Sequence, residues 1–154
     1  MKGINLNKPI TYKHASLRFF NKNERHVTRI CKDDVLIMLF EGILRFSENG
    51  ICYEIKPGEY YIQQKNLYQE GFAPSECPKY LYVHFNGEWG NGNYALPKTG
   101  KFDTGKLMGI MNEMDMYAHG EYSYTQRCGK FYEILNLLNN KAETKSTANK
   151  IADY

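Results

Sequence analysis

The stretch Glu41–Gln64, "EGILRFSENGICYEIKPGEYYIQQ", places two turn signals between apolar runs that alternate with period two. Asn49-Gly50 is the pair that a two-residue type I′ hairpin favours, because both central positions of that turn need positive φ. Pro57-Gly58 ends the next strand: proline donates no ladder hydrogen bond, and glycine takes the sharp reversal. "YYIQQ" then starts a further strand. A chain punctuated this way is committed to antiparallel β structure, since helical continuation is broken at every turn.

The same rhythm extends from Thr28 to Asn86. Short runs rich in Val, Ile, Leu, Tyr and Phe alternate with Asp33-Asp34, Asn49-Gly50, Pro57-Gly58, Lys65-Asn66 and the segment from Pro74 to Pro78, which predicts a sandwich or barrel. After the connection "NGEWGNGNYALPKTG" the period changes to that of helices. Leu107, Ile110, Met111 and Met114 form one apolar stripe, and Cys128, Phe131, Leu135 and Leu138 form a second, over roughly Tyr124–Asn140. Polar residues between Thr99 and Thr104 offer the first helix its N-cap, and Gly120 separates the two. At the other end, "NLNKPITYKHASLRFF" shows no clear period and reads as an arm. With 154 residues, of which 42% are hydrophobic, the chain can bury a core of its own.

Charge and cysteine usage narrow the class of partners. Twenty basic residues against 17 acidic ones give a net charge of +3, without a basic block, so the chain shows no nucleic-acid footprint of its own. Cys31, Cys52, Cys77 and Cys128 have no C-x-x-C spacing, and the first residues lack the basic-then-apolar run of a signal peptide. The expected location is therefore a reducing cytoplasm. No window reaches the roughly 18 apolar residues of a membrane span, so no membrane partner is expected.

The order strand, Gly42, strand, Asn49-Gly50, strand, Pro57-Gly58, strand resembles the cupin barrel, and in particular the N-terminal domain of AraC-type transcription regulators. The matching segments are "LFEGILRF" (39–46), "NGICYEIKPGEYYI" (49–62) and "YLYVHFNG" (80–87), followed by two helices. The resemblance implies a mainly β fold: a cupin-like double-stranded β-helix (jelly-roll) barrel followed by two C-terminal α-helices. Residues 1–97 would then be the arm and the effector-binding barrel, 98–141 a two-helix dimerisation segment, and 142–154 a linker and the start of a DNA-binding region, whose first helix "TANKIADY" resembles. It further implies a homodimer that senses a small molecule without catalysis. DNA would be met only through a helix-turn-helix region absent from this chain.

Cupin enzymes hold a metal with a His-x-His pair, a Glu and a further His. The corresponding positions here fall near Arg29, Cys31, Val35 and Gln69, so the pocket is expected to be free of metal and of other cofactors. Alternation places Val35, Ile37, Leu39 and Glu41 on one face and Tyr80, Tyr82 and His84 on another. With Gln69 this nominates Leu39, Glu41, Gln69, Tyr80, Tyr82 and His84 as effector-binding residues. The resemblance maps a ligand-contacting Arg to Glu41 and a stacking Trp to Tyr82. The reversed charge at position 41 favours a polyol or a cationic effector, while Tyr82 reads equally well as a core residue and His84 reads better as one. Pro9 and Ile10, on the arm, are expected to form a lid. Cys128, Phe131, Leu135 and Leu138 are expected to form the dimer seam, because Tyr132, Ile134 and Leu137 add apolar surface beyond one stripe.

Two other readings stay open on the sequence. One is a small metal-free cupin enzyme, such as a sugar isomerase or epimerase, with Glu41 and His84 as its acid and base. The other is a structural dimerisation module whose barrel is filled by side chains.

Overall fold

The computed structural model describes residues 2–152, with side chains described over 2–139. The strands are β1 (Gly3–Asn5), β2 (Thr11–Phe19), β3 (Arg29–Ile30), β4 (Asp34–Glu48), β5 (Ile51–Ile55), β6 (Glu59–Gln63), β7 (Tyr68–Glu70), β8 (Glu76–Asn86), β9 (Trp89–Gly90), β10 (Ala95–Pro97) and β11 (Thr99–Lys101). Two helices follow, α1 (Thr104–His119) and α2 (Tyr124–Ala152). The protein is mainly β, with antiparallel sheets and two C-terminal helices, as the turn pattern predicts.

The long strand β4 organises the molecule. Its first half pairs with β8 on one side and β6 on the other, within a sheet ordered β2-β8-β4-β6-β11. Its second half, from Leu44, pairs with β5 and β7, and β7 pairs with β3. Between the halves the β4–β8 register shifts around Glu41, and Gly42 takes φ +76°. One strand thus serves two sheets, where the sequence suggested two strands separated by Gly42. Asn49 and Gly50, at φ 52° and 85°, make the expected two-residue hairpin between Glu48 and Ile51. Among the described residues the ladders do not close into a barrel.

Both faces of the larger sheet are covered. Leu36, Met38, Leu81, Val83 and Phe85 face the helices, meeting Leu107, Ile110, Met111 and Met114 of α1 and Phe131, Ile134 and Leu135 of α2. Val35, Ile37, Leu39, Tyr61 and Tyr80 face the second sheet, meeting Leu44, Phe46 and Ile55. A strand buried on both faces reads as a continuous apolar run, and "VLIMLF" is one. Asp103 caps α1 by accepting a hydrogen bond from the Lys106 amide, and Gly120 ends that helix.

Three expectations need correction. The N-terminal region is no free arm: β2 pairs with β8 from Thr11 to Phe19. A bulge between Tyr12 and His14 shifts its register, which erases the period-two signal in the sequence. Residues Pro9 and Ile10 form no lid over the space between the sheets. Pro9 is exposed, while Ile10 is buried on the helix side, and its carbonyl accepts a bond from the Tyr132 hydroxyl at 2.6 Å. The proposed dimer seam is used inside the chain: Phe131 and Leu135 are 0% and 2% exposed, and Cys128 and Leu138 pack partly buried against the same core. α2 extends to Ala152; the side chains of the expected DNA-binding start at 142–154 lie outside the described residues.

Two buried carboxylates hold loops to this frame. Asp34 accepts from the Lys65 amide (2.9 Å), the Gly87 amide (3.0 Å) and the Trp89 indole (2.9 Å). Glu48 accepts from the Tyr61 hydroxyl (2.8 Å) and the Gln64 amide (2.9 Å), and pairs with Lys98 at 2.5 Å. Both are buried, at 0% and 3% exposure, and hold these loops through their oxygens.

Candidate functional site

A cavity of about 490 Å³ lies between the larger sheet and the segment 20–29. β4 supplies Val35 and Ile37 to its floor, β8 supplies Tyr80, Tyr82 and His84, β2 supplies His14 and Arg18, and β6 supplies Gln63. Register explains the grouping. His14 stands opposite His84 and Arg18 opposite Tyr80, so alternate residues of two paired strands present one face. The opposite wall is the irregular segment carrying Phe20, Glu24, Arg25, His26 and Val27, with Arg29 at the start of β3.

That segment is anchored at several points. Glu24 pairs with Arg18 at 2.5 Å, and its backbone carbonyl accepts from the Ser75 amide at 3.0 Å. Arg25 donates to the carbonyls of Gly71 and Phe72. His26 is buried against Phe46, with ring centroids 5.2 Å apart. Its Nδ1 donates to the Val27 carbonyl at 2.7 Å, and Nε2 then accepts from Gln63 Nε2 at 3.0 Å. With that tautomer Gln63 is oriented, and its Oε1 is left buried without a partner among the described residues.

Aromatic rings line the mouth. His14 and His84 stack with centroids 4.2 Å apart, and Tyr82 meets both edge-on at 6.1 Å and 5.5 Å. Burial, and then the neighbouring His14, push His84 below the ordinary imidazole range, against the opposing pull of Asp33. Burial raises the Tyr80 phenol, so it stays a neutral donor. Three arginines face one carboxylate around the space, which makes the field there positive.

Of the nominated effector-binding residues, Tyr80, Tyr82 and His84 line the cavity. Glu41 does not: it is exposed and pairs with Lys79 at 3.5 Å. The bulge beside it breaks the alternation that linked it to Leu39. Leu39 is fully buried in the core between the sheets. Gln69 is fully buried behind Arg29, accepting from its Nε at 3.2 Å. The acid and base pair of the enzyme reading is therefore not assembled, since His84 lines the cavity and Glu41 stands on the surface. Sequence reasoning missed His14, Arg18, His26 and Gln63.

Burial lowers the His26 pKa from 6.5 to about 4, an effect that Val27 opposes and that Arg29 and Arg18 reinforce. The unfolded chain takes up this proton near 6.5 and the folded chain only near 4, so between those values the unfolded state holds more protons. Stability is therefore lost as pH falls through that window, by roughly 3 kcal/mol. Urea unfolding at pH 7 and at pH 4 is expected to show a loss larger by about that amount in the wild type than in His26→Gln. Equal losses would mean that His26 is protonated in the fold.

No family model matches the chain, and no curated protein does. Among solved structures it is similar to a conserved protein of unknown function from Streptococcus pyogenes, at 11% identity and a TM-score of 0.40, over 52% of this chain and 76% of that one.

Proposed function

We propose that the chain is the effector-binding domain of an AraC-type regulator, taking a small anionic molecule into the cavity between the larger sheet and the segment 20–29 and acting by binding rather than turnover. The observation that carries this reading is the cavity's lining by Arg18, Arg25 and Arg29 against the single carboxylate of Glu24; the buried Gln63 on its wall adds an Oε1 without a hydrogen-bond partner among the described residues. A buried acceptor without a donor costs about 1–3 kcal/mol, which a ligand hydroxyl or amine would recover. Arg29, whose only side-chain partner among the described residues is Gln69, supplies charge for a carboxylate or phosphate. Tyr82 and His14 supply flat surfaces for the rest of the molecule. This replaces the polyol or cation suggested by Glu41, which stands outside.

The cupin-like reading draws support from the order of turns and from the way β4 passes between two facing antiparallel sheets. Contact with DNA would belong to a region outside this chain. Association between copies would need a surface other than the buried stripe of α2.

Thermal-shift screening with small carboxylates, sugar acids and sugar phosphates, against neutral sugars, is expected to show stabilisation by members of the anionic group. Calorimetry on the best of them should give a fivefold to hundredfold loss of affinity, about 1–3 kcal/mol, in both Arg29→Ala and Tyr82→Ala. Glu41→Ala should bind like the wild type. A ligand held equally by both cavity variants, or binding by none of the anions, would refute the reading.

A further inference from the structure

The turn from Cys31 to Asp33 joins β3 to β4, and it carries a thiol and a carboxylate two residues apart. Val35, just beyond the turn, is the cross-strand partner of His84, so the register sets that imidazole beside both side chains. His84 Nδ1 lies 3.9 Å from Cys31 Sγ and 3.3 Å from Asp33 Oδ2. The three ligand atoms all fall within 4.8 Å of one another.

What such a group can do depends on which atoms face which. In a nucleophilic relay the thiol would address one ring nitrogen and the carboxylate would orient the ring from the other. Here sulfur and carboxylate both converge on Nδ1, so the relay geometry is missing and a single common point is present. That is the requirement of a cation. With bonds of about 2.3 Å to sulfur and 2.0–2.2 Å to nitrogen and oxygen, donors around a tetrahedral ion stand roughly 3.3–3.6 Å apart. The observed spacings come within side-chain adjustment of that set. The other oxygen of Asp33 accepts from Asn86 Nδ2 at 3.1 Å, the outer hydrogen bond that orients a metal-bound carboxylate. A thiolate and a carboxylate together balance a divalent charge.

We propose that Cys31, Asp33 and His84 form a binding site for a thiophilic divalent transition-metal ion, zinc being the best fit to one sulfur, one nitrogen and one oxygen. Three protein donors leave the fourth tetrahedral position for water or for a molecule in the cavity, since His84 lines it. Cys31 and Asp33 share one turn, while His84 stands 53 and 51 residues further along the chain.

The test uses reduced, chelator-treated protein titrated with Co²⁺ and with Zn²⁺ alone, in the absence of any organic ligand, so its outcome is independent of the effector reading. One Co²⁺ per chain is expected, with a thiolate-to-cobalt charge-transfer band and the intense visible bands of a tetrahedral ion. Cys31→Ser should abolish the charge-transfer band. It lies on a partly exposed turn, and circular dichroism is expected to show it folded. Asp33→Asn and His84→Gln should weaken Zn²⁺ binding beyond the roughly 10- to 100-fold that loss of an outer partner costs. Cys52→Ser and Cys77→Ser should leave both metals bound. Absence of a one-to-one complex would overturn the proposal, as would a thiolate band that survives Cys31→Ser.

Discussion

Leu135→Glu is expected to unfold the chain, not to separate two copies of it. The leucine is 2% exposed and packs with Phe131, Ile134 and the helix-facing side of the larger sheet. Removing a buried leucine side chain costs about 2–5 kcal/mol through lost transfer energy and the cavity it leaves. A carboxylate in its place adds a desolvation penalty of several kcal/mol, because the described residues packed around it are apolar. The sum reaches the whole stability of an ordinary domain, about 5–15 kcal/mol. Circular dichroism should show lost secondary structure at 25 °C, or a melting point lowered by tens of degrees. Had the stripe been a seam between copies, the variant would sediment as a folded monomer, and that result would return Cys128, Phe131, Leu135 and Leu138 to an interface.

Gly42→Val should be nearly as damaging, for a reason rooted in the backbone. Gly42 takes φ +76°, a region that a β-branched residue enters only under strain. A Cβ there would also press on the backbone carbonyl oxygens of Glu76 and Cys77, the second of them at 2.5 Å. Neither oxygen can rotate away as a flexible side chain would, and both belong to the β8 ladder. The bend through which β4 changes sheets must then open, with loss of pairing on both sides. A destabilisation of about 3 kcal/mol or more is expected in urea unfolding, combining backbone strain with overpacking. Gly50→Val, where nothing lies within 4 Å of the added atom, separates the two causes: it retains strain at φ +85° without the clash. Equal losses in the two variants would show that the close approach contributes nothing.

Turn chemistry made most of the fold legible in the sequence. Asn49-Gly50 and Pro57-Gly58 act through the φ values that their own side chains allow, so the strands flanking them could be placed without knowing their partners. The helical stripes were equally plain, because 3.6-residue periodicity is a local property. β2 was not, since its bulge breaks alternation, and it lines the cavity with His14 and Arg18. Glu41 failed as a site residue for the same cause: a register shift beside Gly42 turned it to solvent.

The sequence by itself determined the antiparallel strands, the hairpin, the change from β to α near residue 100 and the two amphipathic helices. These follow from interactions between residues a few positions apart. Only the tertiary structure decided which apolar stripe is consumed within the chain, which charges face the cavity, and that Cys31 and Asp33 meet His84. Those outcomes depend on the register between strands distant in sequence. A shift of one residue exchanges the two faces of a strand, and where bulges alter that register no local pattern records which side chains will meet.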